Sequence, residues 1–474
     1  MSALAFSRLD ERDHEAAAFD ILTSGGDQRI VLDGEGRNRY NLPLRPVASP
    51  YSFSSTTASP LAARGYREVL SVYQSIYGEL AAGKRAVDIY RSHVLQIKSG
   101  ILTLLGYAAR DDAAPRCILS PSGTDSHRNA AILLNRMVGL PLTFLTIEDA
   151  ETGSGVPHAL QKTSDGRAHA VVGISAREED GSPLNSASIE SELNRQVQAS
   201  KDGGSRAVLV VTDVSKTGVL WPSLRSVLNM KERWGSDLEV VVDACQMRVS
   251  PSVVREYLAH GFMVIITGSK FLGGPTFSGA LLIPSDRKNV SSSDPTFRNK
   301  VVRPECDVLR SQEANLGLVL RWRAALAEWT AFCALNESLV ISAIDRFSKS
   351  VRTFIDKAPQ LELLSTPLLG REEFEGAHSW SARQSIFTFL IKGRDGSWMG
   401  RQDLAQLHAK LAHLKTPILL GQPVSCGVRG GAPVAALRLS LSAPMLTDIA
   451  SDDHLESVIQ NAVIALITVL DLRP

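Results

Sequence analysis

The chain has 474 residues, 44% apolar and 21% charged, with 51 basic against 50 acidic side chains. That length implies two or three domains, or one large domain with a satellite, of ordinary globular composition. The net charge of +1 excludes an electrostatic footprint for nucleic acid or an anionic membrane, and the absence of an uninterrupted run of about 18 apolar residues predicts no membrane-spanning helix.

The N-terminus, MSALAFSRLDERDHEAAAFD, is charged early and has no apolar core segment, so no secretory signal is expected. Downstream, RIVLDGEGRNRYNL predicts two short strands about a glycine turn. SPYSFSSTTASP (49–60) predicts a Ser/Thr-rich loop, and LAARGYREVLSVYQSIYGELAAG a helix. From about 90 to 285, strands alternate with helices. The predicted strands are RCILSPS, LTFLTIE, AHAVVGIS, RAVLVVTDVS, LEVVVDAC, FMVIITGS and SGALLIP. Several are unbroken β-branched runs, the pattern of strands buried on both faces. DSHRNAAILLNRMVG, IESELNRQVQAS and LRSVLNMKERWG read as the intervening helices. The sum is an α/β class domain with a mostly parallel seven-stranded sheet. Beyond 310, one long helix is predicted through QEANLGLVLRWRAALAEWTAFCALNESLVISAIDRFSKSVRTFI. SIFTFLIKG, DLAQLHAKLAHLK, VAALRLSLSAP and a last helix then make a small C-terminal α+β domain. The expected divisions are 1–85, 86–310 and 311–474.

Cys117, Cys245, Cys306, Cys333 and Cys426 are scattered, odd in number and form no C-x-x-C pair. No metal site or disulfide framework is expected, and a reducing cytoplasm is the expected setting. GELAAGKR (78–85) nearly matches a phosphate-binding loop but has Arg85 where a hydroxyl belongs, and it follows a helical pattern instead of a strand. No G-x-G-x-x-G opens a helix after a strand, so a dinucleotide reading has no support.

In an open α/β sheet, ligands bind beyond the carboxyl ends of the strands. Those ends carry Ser122-Gly123-Thr124, then Asp213, Ser215 and Lys216, then Asp243 and Gln246, then Ser269 and Lys270. Pyridoxal 5′-phosphate needs a lysine amine, an acid against its ring nitrogen and an anion site for its phosphate. Lys270 supplies the first and Asp243 the second. Gly123 and Thr124, at a helix N-terminus, supply backbone N–H groups for the third. Gln246 can donate to the ring oxygen, and Ser269 to the phosphate.

SGTDS, VVDACQ and GSKFLGGPTFSGALL resemble fold-type I pyridoxal-phosphate enzymes, in the branch of class V aminotransferases and cysteine desulfurases. The resemblance runs over residues 120 to 282, with the motifs in the family's order. It implies Lys270 as the Schiff-base lysine, Asp243 as the ring-nitrogen partner and Gly123 and Thr124 as the phosphate loop. It also implies Thr276 at the phosphate of a neighbouring subunit, hence a homodimer. In the small domain it implies Arg438 as the substrate-carboxylate ligand, with Arg429 the alternative. The family's stacking ring is missing from TIEDAETGSGVPHAL. His158 comes a few residues late and His127 sits one turn into the phosphate-loop helix, so either role stays open, as does that of Asp213. Cys426 lacks the desulfurase pattern, and Cys245 reads as a buried small residue. The expected activity is a PLP-dependent transferase or lyase acting at the α-carbon of an amino acid through an external aldimine, aminotransferase-like first, with a lyase or β/γ-replacement enzyme second. A non-catalytic α/β binding protein is the remaining alternative.

Overall fold

The computed structural model describes residues 11–46, 51–108, 111–161, 169–286, 314–374, 379–449 and 452–474. Cys306 and the expected division between 310 and 311 lie outside the described residues. In chain order the elements begin with α1 (Glu11–Leu22), β1 (Ser52–Phe53), α2 (Ala63–Ala81), α3 (Ala86–Leu104), β2 (Arg116–Ser120), α4 (Gly123–Val138), β3 (Leu142–Ile147), α5 (Val156–Gln161) and β4 (Ala170–Ile174). They continue with α6 (Ser186–Asp202), β5 (Arg206–Thr212), α7 (Leu224–Trp234), β6 (Leu238–Ala244), α8 (Pro251–Ala259), β7 (Met263–Thr267) and β8 (Gly279–Ile283). The C-terminal part holds α9 (Leu316–Cys333), α10 (Glu337–Lys357), β9 (Leu361–Leu363), β10 (Ile386–Ile391), α11 (Arg401–Ala412), β11 (Leu419–Arg429), β12 (Ala432–Ser440), α12 (Ala443–Asp448) and α13 (Asp452–Leu472).

The large sheet has seven strands in the order β2-β8-β7-β6-β5-β3-β4. All neighbours run parallel except β8, which is antiparallel to both β2 and β7. Every residue of β7 and β8 is buried. Helices on both faces cover these strands, which is why their sequences are continuous apolar runs without alternation. The smaller sheet has the order β1-β11-β12-β10-β9. Its first strand comes from the N-terminal segment: Ser52 and Phe53 pair in parallel with Leu419 and Leu420.

α9 packs on α2 and α3 and buries side chains around its whole circumference, Trp322 and Trp329 included. Such a helix belongs to a core. Its Arg321 is fully buried and donates to the carbonyls of Phe277, Leu22 and Ser24 at 2.8, 2.6 and 2.7 Å. The N-terminal segment and the loop between β7 and β8 are thereby fastened to one helix.

Four features depart from the sequence expectations. The long helix is two helices, because Asn336 caps α10 by accepting from the Ser338 N–H at 2.9 Å. RIVLDGEGRNRYNL forms turns with one isolated bridge, Arg37 to Pro43. There Asp33 and Asn38 side chains take up backbone N–H groups that a ladder would use. α3, β9 and β11 were not anticipated. α13 is long and apolar enough over His454–Leu472 to cross a bilayer, at a mean hydropathy of 1.6. Its Leu455, Ile459, Ala462, Ala465, Leu466 and Val469 are buried in the core, at the spacing of an amphipathic helix.

Candidate active site

A cavity of about 520 Å³ lies beyond the carboxyl ends of β3, β5, β6 and β7, roofed by the small sheet. Asp243, near the end of β6, stands in register with Thr212 of β5 and Ile265 of β7. Lys270 follows β7 by three residues. Adjacent parallel strands thus present an acid and an amine to one space. Lys270 is held from the N-terminal side: Ser59 Oγ donates to its carbonyl at 2.7 Å, and the Ser59 N–H donates to the Ser269 carbonyl at 3.2 Å.

Burial alone would raise the Asp243 pKa. His127, the Cys245 thiol and Lys270 overcome it and hold the carboxyl well below its usual range, and the Cys245 N–H also donates to it at 3.1 Å. His127 Nε2 is 3.3 Å from Asp243 Oδ2, outside hydrogen-bond geometry, and Nδ1 lies 2.7 Å from the Gly123 carbonyl oxygen of the preceding turn. A permanently ionised acid deep in a cavity is what a protonated ring nitrogen requires.

α4 begins at the cavity wall. Ser122 caps it, accepting from the Asp125 N–H at 3.2 Å and donating to the Asp125 carboxylate at 2.7 Å. The following N–H groups, of Gly123 and Thr124, open the helix where no intrahelical acceptor exists. A Cβ on Gly123 would sit 2.7 Å from Cys245 Sγ, so only glycine fits there. A Cβ on Gly279 of β8 would come within 2.5 Å of the Ser122 carbonyl, so that strand too closes on the loop only as glycine.

Four polar atoms on cavity-lining residues have no hydrogen-bond partner among the described residues: Thr56 Oγ1, His127 Nε2, Gln246 Oε1 and Thr276 Oγ1. Buried polar groups are normally satisfied. Together with the helix N-terminus, the ionised Asp243 and the amine of Lys270, they match the donor and acceptor needs of a phosphorylated pyridine aldehyde. Gln246 already donates to the Thr56 carbonyl at 3.1 Å, which leaves one N–H of its amide for the ring oxygen.

Of the residues singled out in the sequence, Ser122, Gly123, Thr124, His127, Asp243, Gln246, Ser269, Lys270, Thr276 and Arg438 line this cavity. Thr276, expected at a neighbouring subunit's phosphate, lines the cavity of its own chain. Arg438 is 3% exposed and heavily engaged. It donates to the Gln422 carbonyl at 3.1 and 2.7 Å, to Thr57 Oγ1 at 2.9 Å and to the Lys216 carbonyl at 3.3 Å. Four of its five N–H groups are used, so it offers a single donor to a carboxylate instead of a fork. Burial pulls its pKa to about 10.

Three candidates lie elsewhere. Arg429 pairs with Glu362 at 3.0 Å. His158 sits on α5, away from the cavity wall. Asp213 is fully buried against Arg371 and accepts from Tyr257 Oη at 2.9 Å. Cys426 donates to the Val424 carbonyl at 3.3 Å, and burial pushes its thiol up to about 12. It is no nucleophile in this state.

Several lining residues escaped the sequence reading: Arg29, Tyr40, Thr56, Thr57, Arg401 and Gln422. The loop after β3, Asp149 to Gly155, also lines the cavity. Its Glu151 is locked by Arg177 Nε at 2.9 Å, Ser215 Oγ at 2.8 Å and Thr217 Oγ1 at 2.6 Å. That buried network fixes the loop beside Lys216, whose N–H donates to the Glu151 carbonyl at 2.9 Å.

No family model matches the chain and no curated protein matches its sequence. Solved structures do match. A NifS-like protein superposes with a TM-score of 0.57 at 14% identity, covering 88% of this chain and 99% of that one. Oryza sativa TDC with PLP and tryptamine gives 0.56 at 13% identity, over 90% of this chain and 85% of that one. An apo cysteine desulfurase from Thermococcus onnurineus NA1 gives 0.56 at 12%, over 89% and 94%. The fold is that of the fold-type I pyridoxal-phosphate enzymes, along nearly the whole chain.

Proposed function

We propose that the chain is a pyridoxal-phosphate enzyme, a homodimer, acting at the α-carbon of an amino acid. The observation that carries this is the convergence of Lys270, ionised Asp243, the α4 N-terminus and four polar atoms without a hydrogen bond among the described residues on one cavity. The fold shared with PLP-containing structures supports it. The cofactor, when bound, supplies an aldehyde for amine attachment and a ring that takes up electrons from the α-carbon.

The chain's own residues do the rest. Gly123, Thr124, Ser269 and Thr276 hold a phosphate. Asp243 keeps a ring nitrogen protonated, and Gln246 donates to a ring oxygen. Lys270 is the amine that attaches, and afterwards the base that carries a proton at the substrate's α-carbon. Arg438 gives its remaining N–H and its charge to the α-carboxylate. Transamination needs only this set. A carbon–sulfur lyase of the desulfurase kind needs a thiolate as well; among the described residues neither buried Cys426 nor buried Cys245, whose thiol burial and Asp243 push well up, supplies one, and Cys306 lies outside them.

The test is the visible spectrum with added PLP. Wild-type protein gains a band that borohydride reduction fixes onto the Lys270 peptide, and Lys270→Ala abolishes covalent attachment. A protein that stays colourless, or labels at another lysine, refutes the reading and leaves a non-catalytic binding protein.

A further inference from the structure

A second lysine shares the cavity. Lys216, in the loop after β5, lines the same space as Lys270 and is half-buried. Its backbone is fixed on both sides, by the Glu151 carbonyl and by Arg438. Its Nζ makes one hydrogen bond, to the Asp149 carbonyl at 3.1 Å, and so keeps two donors. Arg401, the first residue of α11, lines the cavity from the opposite sheet. It opens a helix whose first turn also carries Asp403. Lys216 and Arg401 thus line one cavity from different elements.

Among the described residues, neither cation forms an ion pair with a carboxylate. Glu151 has both oxygens occupied by Arg177, Ser215 and Thr217. Asp149 sits at the rim, exposed, and meets Lys216 only through its main chain. Arg438 beside them is committed to carbonyls. Lys216 is half-buried and Arg401 is exposed, and both line the same cavity, so two cations without a carboxylate partner among the described residues face one space that an anion from outside can enter.

We propose that Lys216 and Arg401 form a second anion site, and that the substrate is an amino acid with an acid group on its side chain: a carboxylate, phosphate or sulfonate. Arg438 would hold the α-carboxylate while this pair holds the distal acid. The proposal rests on the reading of the cavity as an amino-acid site.

The experiment is a spectral titration of the PLP-loaded protein with aspartate, glutamate, O-phosphoserine and cysteate, against alanine and leucine. Acidic amino acids shift the band at concentrations at least about tenfold lower, and the best of the four names the acid. Lys216→Met and Arg401→Gln each raise their Kd about tenfold and leave those of alanine and leucine within about twofold; Lys216→Arg retains the preference. Calorimetry of the same holoprotein with glutarate, which has no amine, gives a binding heat that Lys216→Met removes. Thermal melting checks that each variant folds, and a failure of Lys216→Met to fold transfers the test to Arg401→Gln. A visible band with no preference for acidic amino acids overturns this inference alone. So does equal weakening of acidic and neutral ligands by Lys216→Met, which would put that lysine on the α-carboxylate. A wild-type protein that gains no band overturns the cofactor reading, and this inference with it.

Discussion

Thr276→Val separates a hydroxyl kept for a ligand from one kept for the fold, because the two predict opposite signs. Thr276 is 6% exposed and its Oγ1 has no hydrogen-bond partner among the described residues. An unsatisfied buried hydroxyl costs about 1–3 kcal/mol, and valine has nearly the same shape without the polar atom. The cofactor-free variant should therefore be at least as stable as wild type, by up to about 1–2 kcal/mol. A hydrogen bond from that hydroxyl to a phosphate contributes about 1.5–3 kcal/mol, and each 1.4 kcal/mol is tenfold in affinity. PLP should therefore bind roughly 10- to 100-fold more weakly to the variant. Urea unfolding of the cofactor-free proteins gives the first quantity, and absorbance titration with PLP gives the second. Thr276→Ser should keep wild-type affinity. A valine variant that is destabilised yet binds PLP as tightly as wild type would refute the reasoning, since the hydroxyl would then belong to the fold.

Arg371→Leu removes the cation from the fully buried Asp213 carboxylate, which also accepts from the Tyr257 hydroxyl; an unfolding free energy lower by about 3–5 kcal/mol is expected, largely restored by adding Asp213→Leu. Lys216 sits at about 8 because of burial, then Arg438, Lys270 and Arg401, with only Glu151 opposing; Asp149 also faces it. Affinity for acidic amino acids should thus fall as pH rises through about 8, and isothermal titration across that range checks it. The same shift has a stability sign: the folded value lies below the ordinary 10.5, so the unfolded chain binds more protons between the two. Stability should rise with pH across that window, and urea midpoints of wild type should rise relative to those of Lys216→Met.

Asp213 and Asp243 show how far residue patterns reach. Each ends an apolar β-branched run, and the two sequences VVTD and VVVD differ little. In space one is sealed against Arg371 and the other opens on the cavity. A side chain's role there depends on which distant segment covers it, and residues 371 and 127 are far away in the chain. The same holds for Arg438. Its place on a late strand was readable, but the commitment of its donors to Gln422 and Thr57 follows from β11 and the N-terminal loop meeting. Arg29, Thr56, Thr57 and Arg401 carry no local signal at all, since a cavity wall assembled from many separate segments has no period.

What the sequence alone determined was the seven strands of the large sheet, most of their helices and the strand ends that bear Gly123, Asp243 and Lys270. Those follow from local apolar periodicity and from the rule that parallel strands present their carboxyl ends together. Tertiary structure alone decided which ends share one cavity, and that Thr276, Lys216 and Arg401 line it together. Such contacts depend on long-range packing, where the loss of water and the sum of neighbouring charges set the chemistry of each group.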